Sequence, residues 1–355
     1  MSDISPFYQE SAMESHPKLS ICITTYNRGK FIAETLDSIQ PQLAPDVELL
    51  VVDGASPDDT PEVMSRYIQH HPQVRYFRES ENSGVDRDYD KAIGYARGEY
   101  CWLMSDDDLL RPGAVDRVLA QLDGVRDLII VNAEVRNSDL SKVLAARQLD
   151  IAEDKVYNKS TSEDFFSECM NYISFIGCTI VRRSEWMKRD REKYYGTLFI
   201  HIGVIFQSPP IFSVYVISEP LIIIRYGNAM WTARGFEIWL FKWPELVWSF
   251  PSFSSSSKRH VCHPTPWKRA KTLLYYRATG AYSEDEFNTF LSNRTSGIKR
   301  LVAKFVALTP ANLSLLASII YFAIFNRASE MSKYDVLRSR HATAIDRWLA
   351  RFLWK

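Results

Sequence analysis

The sequence predicts an α/β protein, a mainly parallel sheet flanked by helices on both faces, with a mostly helical C-terminal extension. Three observations carry that prediction. Through the first third of the chain, short apolar runs alternate with segments of helical period. Each run ends in a cluster of polar and turn-forming residues, so the chain leaves the interior at regular intervals. Near residue 258 the charge balance changes, with 17 Lys and Arg against 6 Asp and Glu over 258–355 although the whole chain sums to zero.

The elements follow in order. Residues 19–23 form an apolar run stopped by Thr24-Thr25-Tyr26-Asn27-Arg28-Gly29, after which Phe31, Thr35, Leu36 and Ile39 recur at helical spacing. A second run at 47–52 ends at Asp53-Gly54-Ala55-Ser56-Pro57-Asp58-Asp59-Thr60, and residues 61–70 read as a helix with proline at its start. Residues 74–77 are a third strand, 88–96 a helix, and 98–104 a fourth strand running into Ser105-Asp106-Asp107-Asp108. Strands alternating with helices imply a parallel sheet covered on both faces. A helix at 114–122 and strands at 128–131, 175–181 and 211–225 follow, with an aromatic segment at 194–206. The Trp-, Phe- and Ser-rich stretch 230–266 reads as a loop or lid, although Trp239, Trp243 and Trp248 also suit one helix face. The organisation expected is a polar leader (1–17), a catalytic domain (18–229), an aromatic acceptor loop or lid (230–266) and a basic helical extension (267–355).

With 355 residues, 46% hydrophobic and 24% charged, the chain is neither disordered nor a polytopic membrane protein by composition. Five scattered cysteines without CxxC spacing give no support to a zinc site or a disulfide framework, which fits a reducing cytosol. The polar leader lacks an apolar core of signal-peptide length. The longest apolar run, 313–325, is shorter than the roughly 20 residues of a spanning helix. Basic residues flank it, so the extension is expected to meet an anionic membrane surface and hold the protein peripherally on the inner face. Nothing in the pattern calls for a nucleic-acid partner, and oligomeric state is not legible.

Ligands of open α/β sheets bind beyond the carboxyl ends of the strands, where the clusters 24–28, 53–59 and 105–108 are expected to meet. An acidic cluster repels a diphosphate unless a cation bridges them, which calls for Mg2+ or Mn2+. No GxGxxG follows the first strand, which argues against a dinucleotide enzyme.

Ser20-Ile21-Cys22-Ile23-Thr24-Thr25-Tyr26-Asn27-Arg28, Val51-Val52-Asp53-Gly54-Ala55-Ser56-Pro57-Asp58-Asp59-Thr60, Asn82-Ser83-Gly84-Val85-Asp86-Arg87 and Gly98-Glu99-Tyr100-Cys101-Trp102 running into Asp107-Asp108-Leu109-Leu110 resemble the ordered motifs of family 2 glycosyltransferases. Within them, Asp86-Arg87 and Tyr100-Cys101-Trp102 are similar to the abequosyltransferase-like branch of O-antigen sugar transferases. The resemblance implies a GT-A type fold and a metal-assisted, inverting transfer of a hexose or deoxyhexose. The donor would be a nucleotide diphosphate-sugar and the acceptor lipid-linked or polysaccharide. It places Thr24, Tyr26 and Arg28 around the nucleotide, Asp53 on the base, Arg87 near the diphosphate or ribose, Asp106 beside ribose and metal, and Asp107 on the metal. Ser105 stands where the family has an acid.

The acceptor hydroxyl needs a base with a pKa near working pH. His201 occupies roughly the family position of an acid, with Asp190 and Glu185 as substitutes. Asp108 and Trp231 are expected to face the acceptor, and Arg225-Tyr226-Gly227-Asn228 to close on phosphate or metal. Ser105 and the missing acidic base also suit a second reading, a catalytically silent relative serving as a scaffold for glycan assembly.

Overall fold

The structure is a computed structural model, described for residues 16–230, 234–325 and 329–354. Its centre is a ten-stranded sheet. The strands are β1 (Leu19–Thr25), β2 (Val47–Asp53), β3 (Val74–Arg78), β4 (Tyr100–Met104), β5 (Leu109–Leu110), β6 (Leu128–Arg136), β7 (Val143–Ala145), β8 (Lys155–Tyr157), β9 (Thr179–Arg182) and β10 (Val214–Arg225). They lie in the order β3-β2-β1-β4-β9-β6-β10-β5, with β7 beside β6 and β8 beside β10. β3, β2, β1 and β4 run parallel, β9 is antiparallel to both β4 and β6, and β6 pairs parallel with β10. Six strands therefore point the same way, and their carboxyl ends share one edge.

The apolar runs become central strands because both faces are covered: every residue of β1 and β4 is buried. Removing side chains such as Ile21, Ile23 and Leu103 from water stabilises by roughly 1.5–3 kcal/mol each. Trp102, also fully buried, donates its indole N–H to the Gly177 carbonyl at 2.9 Å, so its polar atom costs nothing and β4 is tied to the approach to β9. Helices α1 (Gly29–Ile39), α2 (Thr60–His70) and α3 (Val85–Tyr95) are the crossovers between the parallel strands.

Two expectations are corrected. Residues 235–249 and 255–261 are helical, and Phe236, Trp243, Leu246, Val247, Phe250 and Phe253 are buried. Aromatic stacking draws them in: Phe253 lies 4.1 Å from Phe166 and Trp243 5.0 Å from Phe199, ring centre to ring centre. A lid made of such side chains would expose them to water on opening. The expected strand at 175–181 begins only at Thr179, after a 3₁₀ turn at Ile176–Cys178, and the aromatic segment 194–206 ends in the buried helix Ile200–Phe206.

Beyond residue 267 the chain is helical, with cores of its own. Trp267, Leu273, Tyr282, Phe287, Leu291 and Val306 form one cluster. Ala278, Leu315, Ile319, Val336 and Ala350 form another. The helix Glu330–Arg338 returns to the sheet: Asp335 accepts hydrogen bonds from the hydroxyls of Tyr226 (2.8 Å) and Tyr275 (3.0 Å), and Arg338 donates to Ser138 Oγ at 2.7 Å. The extension is thus clasped to the loops that follow β6 and β10.

Candidate active site

The loops at the shared edge are fastened to one another before any ligand is considered. Ser56 Oγ accepts the Asn27 N–H (2.9 Å), Thr60 Oγ1 accepts that of Arg28 (2.9 Å) and Asp58 Oδ2 that of Gly29 (3.1 Å). A Cβ on Gly29 would fall 3.0 Å from the Thr60 nitrogen and closer still to the Asp59 carboxylate, so only glycine lets α1 and α2 start this close together. Asn27 and Ala55 both have positive φ, +59° and +62°, a strained backbone held at the two loop tips by these bonds.

Against this base the loop after β4 sets three carboxylates in different jobs. Asp108 is buried and engaged from within: Ser105 Oγ donates to one oxygen and the Arg225 N–H to the other at 2.7 Å. Burial and the neighbouring Asp107 hold it well above the usual carboxylate range. Asp108 therefore does not face an acceptor, which corrects that expectation and explains Ser105, whose hydroxyl anchors the loop. Asp106 and Asp107 turn instead to Arg28. Its Nε lies 3.5 Å from Asp106 Oδ1 and its Nη2 3.8 Å from Asp107 Oδ2, charge contacts longer than direct hydrogen bonds. Burial, then Asp107, pushes Asp106 up to about 7 against the pull of Arg28; burial also raises Asp107, opposed by Arg28 and Arg225.

The loop after β10 closes the ring. Arg28 Nη1 donates to the Asn228 carbonyl (3.1 Å), Arg225 Nε donates to the Asp107 carbonyl (2.9 Å), and the Arg225 guanidinium pairs with Glu34. Phe31 lies against both guanidinium groups, 5.7 Å from Arg28 and 5.5 Å from Arg225. Two arginines and two carboxylates thus lie side by side at the end of the parallel strands.

The remaining expected residues fall around this centre or away from it. Thr24, at the end of β1, is buried and Tyr26 half-buried. Arg87 is exposed at the start of α3, its guanidinium 4.3 Å over the Tyr195 ring. Asp53 has no exposed surface: it accepts the Ser56 N–H (2.8 Å) and the Tyr76 hydroxyl (2.6 Å). It fastens its own loop, one bond on each carboxylate oxygen. His201 is 1% exposed, bonded through Nε2 to the Ile173 carbonyl (2.7 Å), and burial lowers its pKa to about 4. An enclosed imidazole that resists protonation is no base for a solvent-borne hydroxyl, and that assignment is corrected too. Glu185 pairs with Lys188 (2.8 Å), and Asp190 accepts the Lys193 N–H (3.3 Å). Trp231 lies outside the described residues. The reading of the sequence missed Glu34 and Asp335; both partner groups over a hundred residues away, and no local spacing signals them.

A mainly parallel α/β sheet of this order, with an arginine-bridged acid pair after its fourth strand, is the frame on which the comparisons fall. Residues 20–190 match the family model described as Glycosyl transferase family 2, and the chain carries that domain and is a transferase. It is 29% identical to the abequosyltransferase RfbV of Salmonella typhimurium over 231 residues, 61% of this chain and 69% of that one. It is 27% identical to the GalNAc(5)-diNAcBac-PP-undecaprenol beta-1,3-glucosyltransferase of Campylobacter jejuni over 191 residues, 52% of this chain and 60% of that one. In fold it is similar to the crystal structure of S. aureus TarS 1-349 in complex with UDP, with a TM-score of 0.52 and 16% identity over 90% of this chain and 89% of that one.

The family implies a divalent cation, and the donor set fits one in part. Among the described residues no three His, Cys, Asp or Glu side chains are grouped to hold an ion. Asp106 and Asp107 supply two carboxylates, the number Mg2+ commonly takes from a protein when phosphates and water complete its shell. Burial, then the neighbouring Asp107, raises the Asp106 pKa in spite of Arg28.

Proposed function

We propose that the enzyme moves a hexose or deoxyhexose from a nucleotide diphosphate-sugar to a lipid-linked or polysaccharide acceptor in cell-surface polysaccharide biosynthesis, with inversion, at the cytoplasmic face of the membrane. One observation carries the reading: Arg28, Asp106 and Asp107 meet where the parallel strands end. The name of one relative, a glucosyltransferase acting on a glycan linked to undecaprenol through PP, supports a lipid-linked acceptor, and that of another, an abequosyltransferase, a deoxyhexose donor.

In this reading Thr24 and Tyr26 line the nucleotide, Arg87 approaches the diphosphate from α3, and Arg28 moves from the acid pair toward the diphosphate as it arrives. Arg225 fixes the loop through the Asp107 carbonyl. Asp106 and Asp107 would hold Mn2+ or Mg2+, which supplies positive charge to the departing nucleoside diphosphate. Charge placed in advance where it develops is commonly the largest catalytic contribution. Purified protein incubated with UDP-, GDP-, CDP- and dTDP-sugars, with and without Mn2+, tests this. Metal-dependent hydrolysis or binding of one donor is expected, and none with any donor would refute it.

A further inference from the structure

Three C-terminal helices leave large apolar side chains in water. On Gly297–Leu308, Ile298, Leu301, Phe305 and Leu308 recur at three- and four-residue steps, with Ile298 76% and Phe305 73% exposed. On Ala344–Leu353 the series is Ile345, Trp348 and Phe352, at 75%, 66% and 65%. Ala311–Phe325 exposes Leu313, Ile324 and Phe325 while its Leu315 and Ile319 pack inward. Soluble proteins rarely leave so many large apolar groups uncovered without a partner.

Charge decides which partner. Lys299, Arg300, Lys304, Arg347 and Arg351 sit among these side chains, all exposed. The one acid on the three helices, Asp346, caps its own helix by accepting from the Thr343 N–H (2.8 Å) and hydroxyl (2.7 Å). Apolar rings beside cations that form no ion pair among the described residues match the apolar interior and anionic phosphates of a bilayer surface. Depth is limited: among the described residues no single helix is long and apolar enough to cross a membrane, and the chain turns by 101° between Gly297–Leu308 and Ala311–Phe325.

We propose that Gly297–Leu308, Ala311–Phe325 and Ala344–Leu353 form a lipid-binding face that seats the enzyme on an anionic bilayer, Phe305, Trp348 and Phe352 entering the acyl boundary and the cations meeting headgroup phosphate. The inference rests on the membrane-facing part of the function proposed above. The helix Glu330–Arg338, lying between these helices in sequence, holds Tyr226 through Asp335, so the lipid-seated region is joined directly to a loop of the active site.

The test is flotation of the full chain with vesicles of phosphatidylcholine alone or mixed with phosphatidylglycerol. Flotation only with phosphatidylglycerol is expected, weakening with salt. The Trp348→Ser/Phe352→Ser and Lys299→Glu/Lys304→Glu variants should each lose about ten-fold in partitioning or more. Ile298→Ser/Phe305→Ser repeats the apolar arm should one pair fail to fold, and thermal melting identifies such a failure. Wild-type protein that stays at the bottom with both vesicles, or variants that float as wild type does, overturn the proposal. So does a vesicle-free dimer that Trp348→Ser converts to monomer, which would make a second copy the occupant. Nucleotide-sugar hydrolysis without vesicles is read on the same samples, so failure of the donor chemistry and failure of the lipid face are told apart.

Discussion

The sheet and the C-terminal helices handle the same residue types in opposite ways. In the sheet, β1 and β4 hide every side chain, and charges are drawn to one edge, where Arg28 faces Asp106 and Asp107. In the helices beyond residue 297, Phe305, Trp348 and Phe352 stand in water, and the cations beside them form no ion pair among the described residues. The first arrangement prepares a small, charged and precisely spaced site on a rigid base. The second, in the lipid face proposed above, would spread modest affinity over a surface that needs no fixed register. Between them stands Asp335, which is joined to the loop after β10 by the Tyr226 hydroxyl and steadied within the extension by that of Tyr275.

That division can be broken at the site first. Asp107→Asn should lower turnover by at least about 100-fold, since it removes the carboxylate nearest the proposed charge neutralisation, with little change in melting temperature. Full activity in this variant would remove Asp107 from the chemistry. The next largest effect is on stability. The folded His201 pKa of about 4 lies below the unfolded value near 6.5, so the unfolded chain binds more protons between those values. The stability His201 contributes is complete above pH 6.5 and should fall by about 3 kcal/mol as pH drops through 4. Denaturant melts of wild type and His201→Gln across that range check it; parallel curves would refute the burial, and loss of turnover in His201→Gln at neutral pH with the fold intact would restore the residue to catalysis.

At the junction, Asp335→Ala leaves the Tyr226 and Tyr275 hydroxyls without their shared acceptor. A cost of about 1–3 kcal/mol is expected, with a few-fold drop in turnover because the loop that follows Arg225 loosens. Stability lost with turnover untouched would mean that the two regions are only packed together. The smallest effect belongs to Trp348→Ser, which should change stability by no more than about 0.5 kcal/mol, since the ring is in solvent. A larger loss would show that the ring is part of a core.

The sequence made the sheet legible because buried parallel strands are continuous apolar runs and the polar clusters between them mark one edge. Residues 19–25 and 100–104 are legible for that reason. The cluster from Asp53 to Thr60 lies at the strand ends as its sequence implies, and its backbone-holding bonds are not legible there. Ser56, Asp58 and Thr60 hold the backbone of the first loop, and residue type alone does not distinguish holding a backbone from holding a ligand. His201 failed because its apolar neighbours bury it, and burial is a property of packing that spacing does not report. The helices over 235–261 were obscured by serine and proline, whereas the aromatic contacts to Phe166 and Phe199 that order them come from distant segments.

The most direct measurement is calorimetric titration of the protein with nucleoside diphosphate in the presence and absence of Mn2+, on wild type and on Asp107→Asn. Binding that strengthens with Mn2+ in wild type and loses that dependence in the variant is the predicted result. Binding indifferent both to the metal and to the substitution would contradict the assignment of the acid pair.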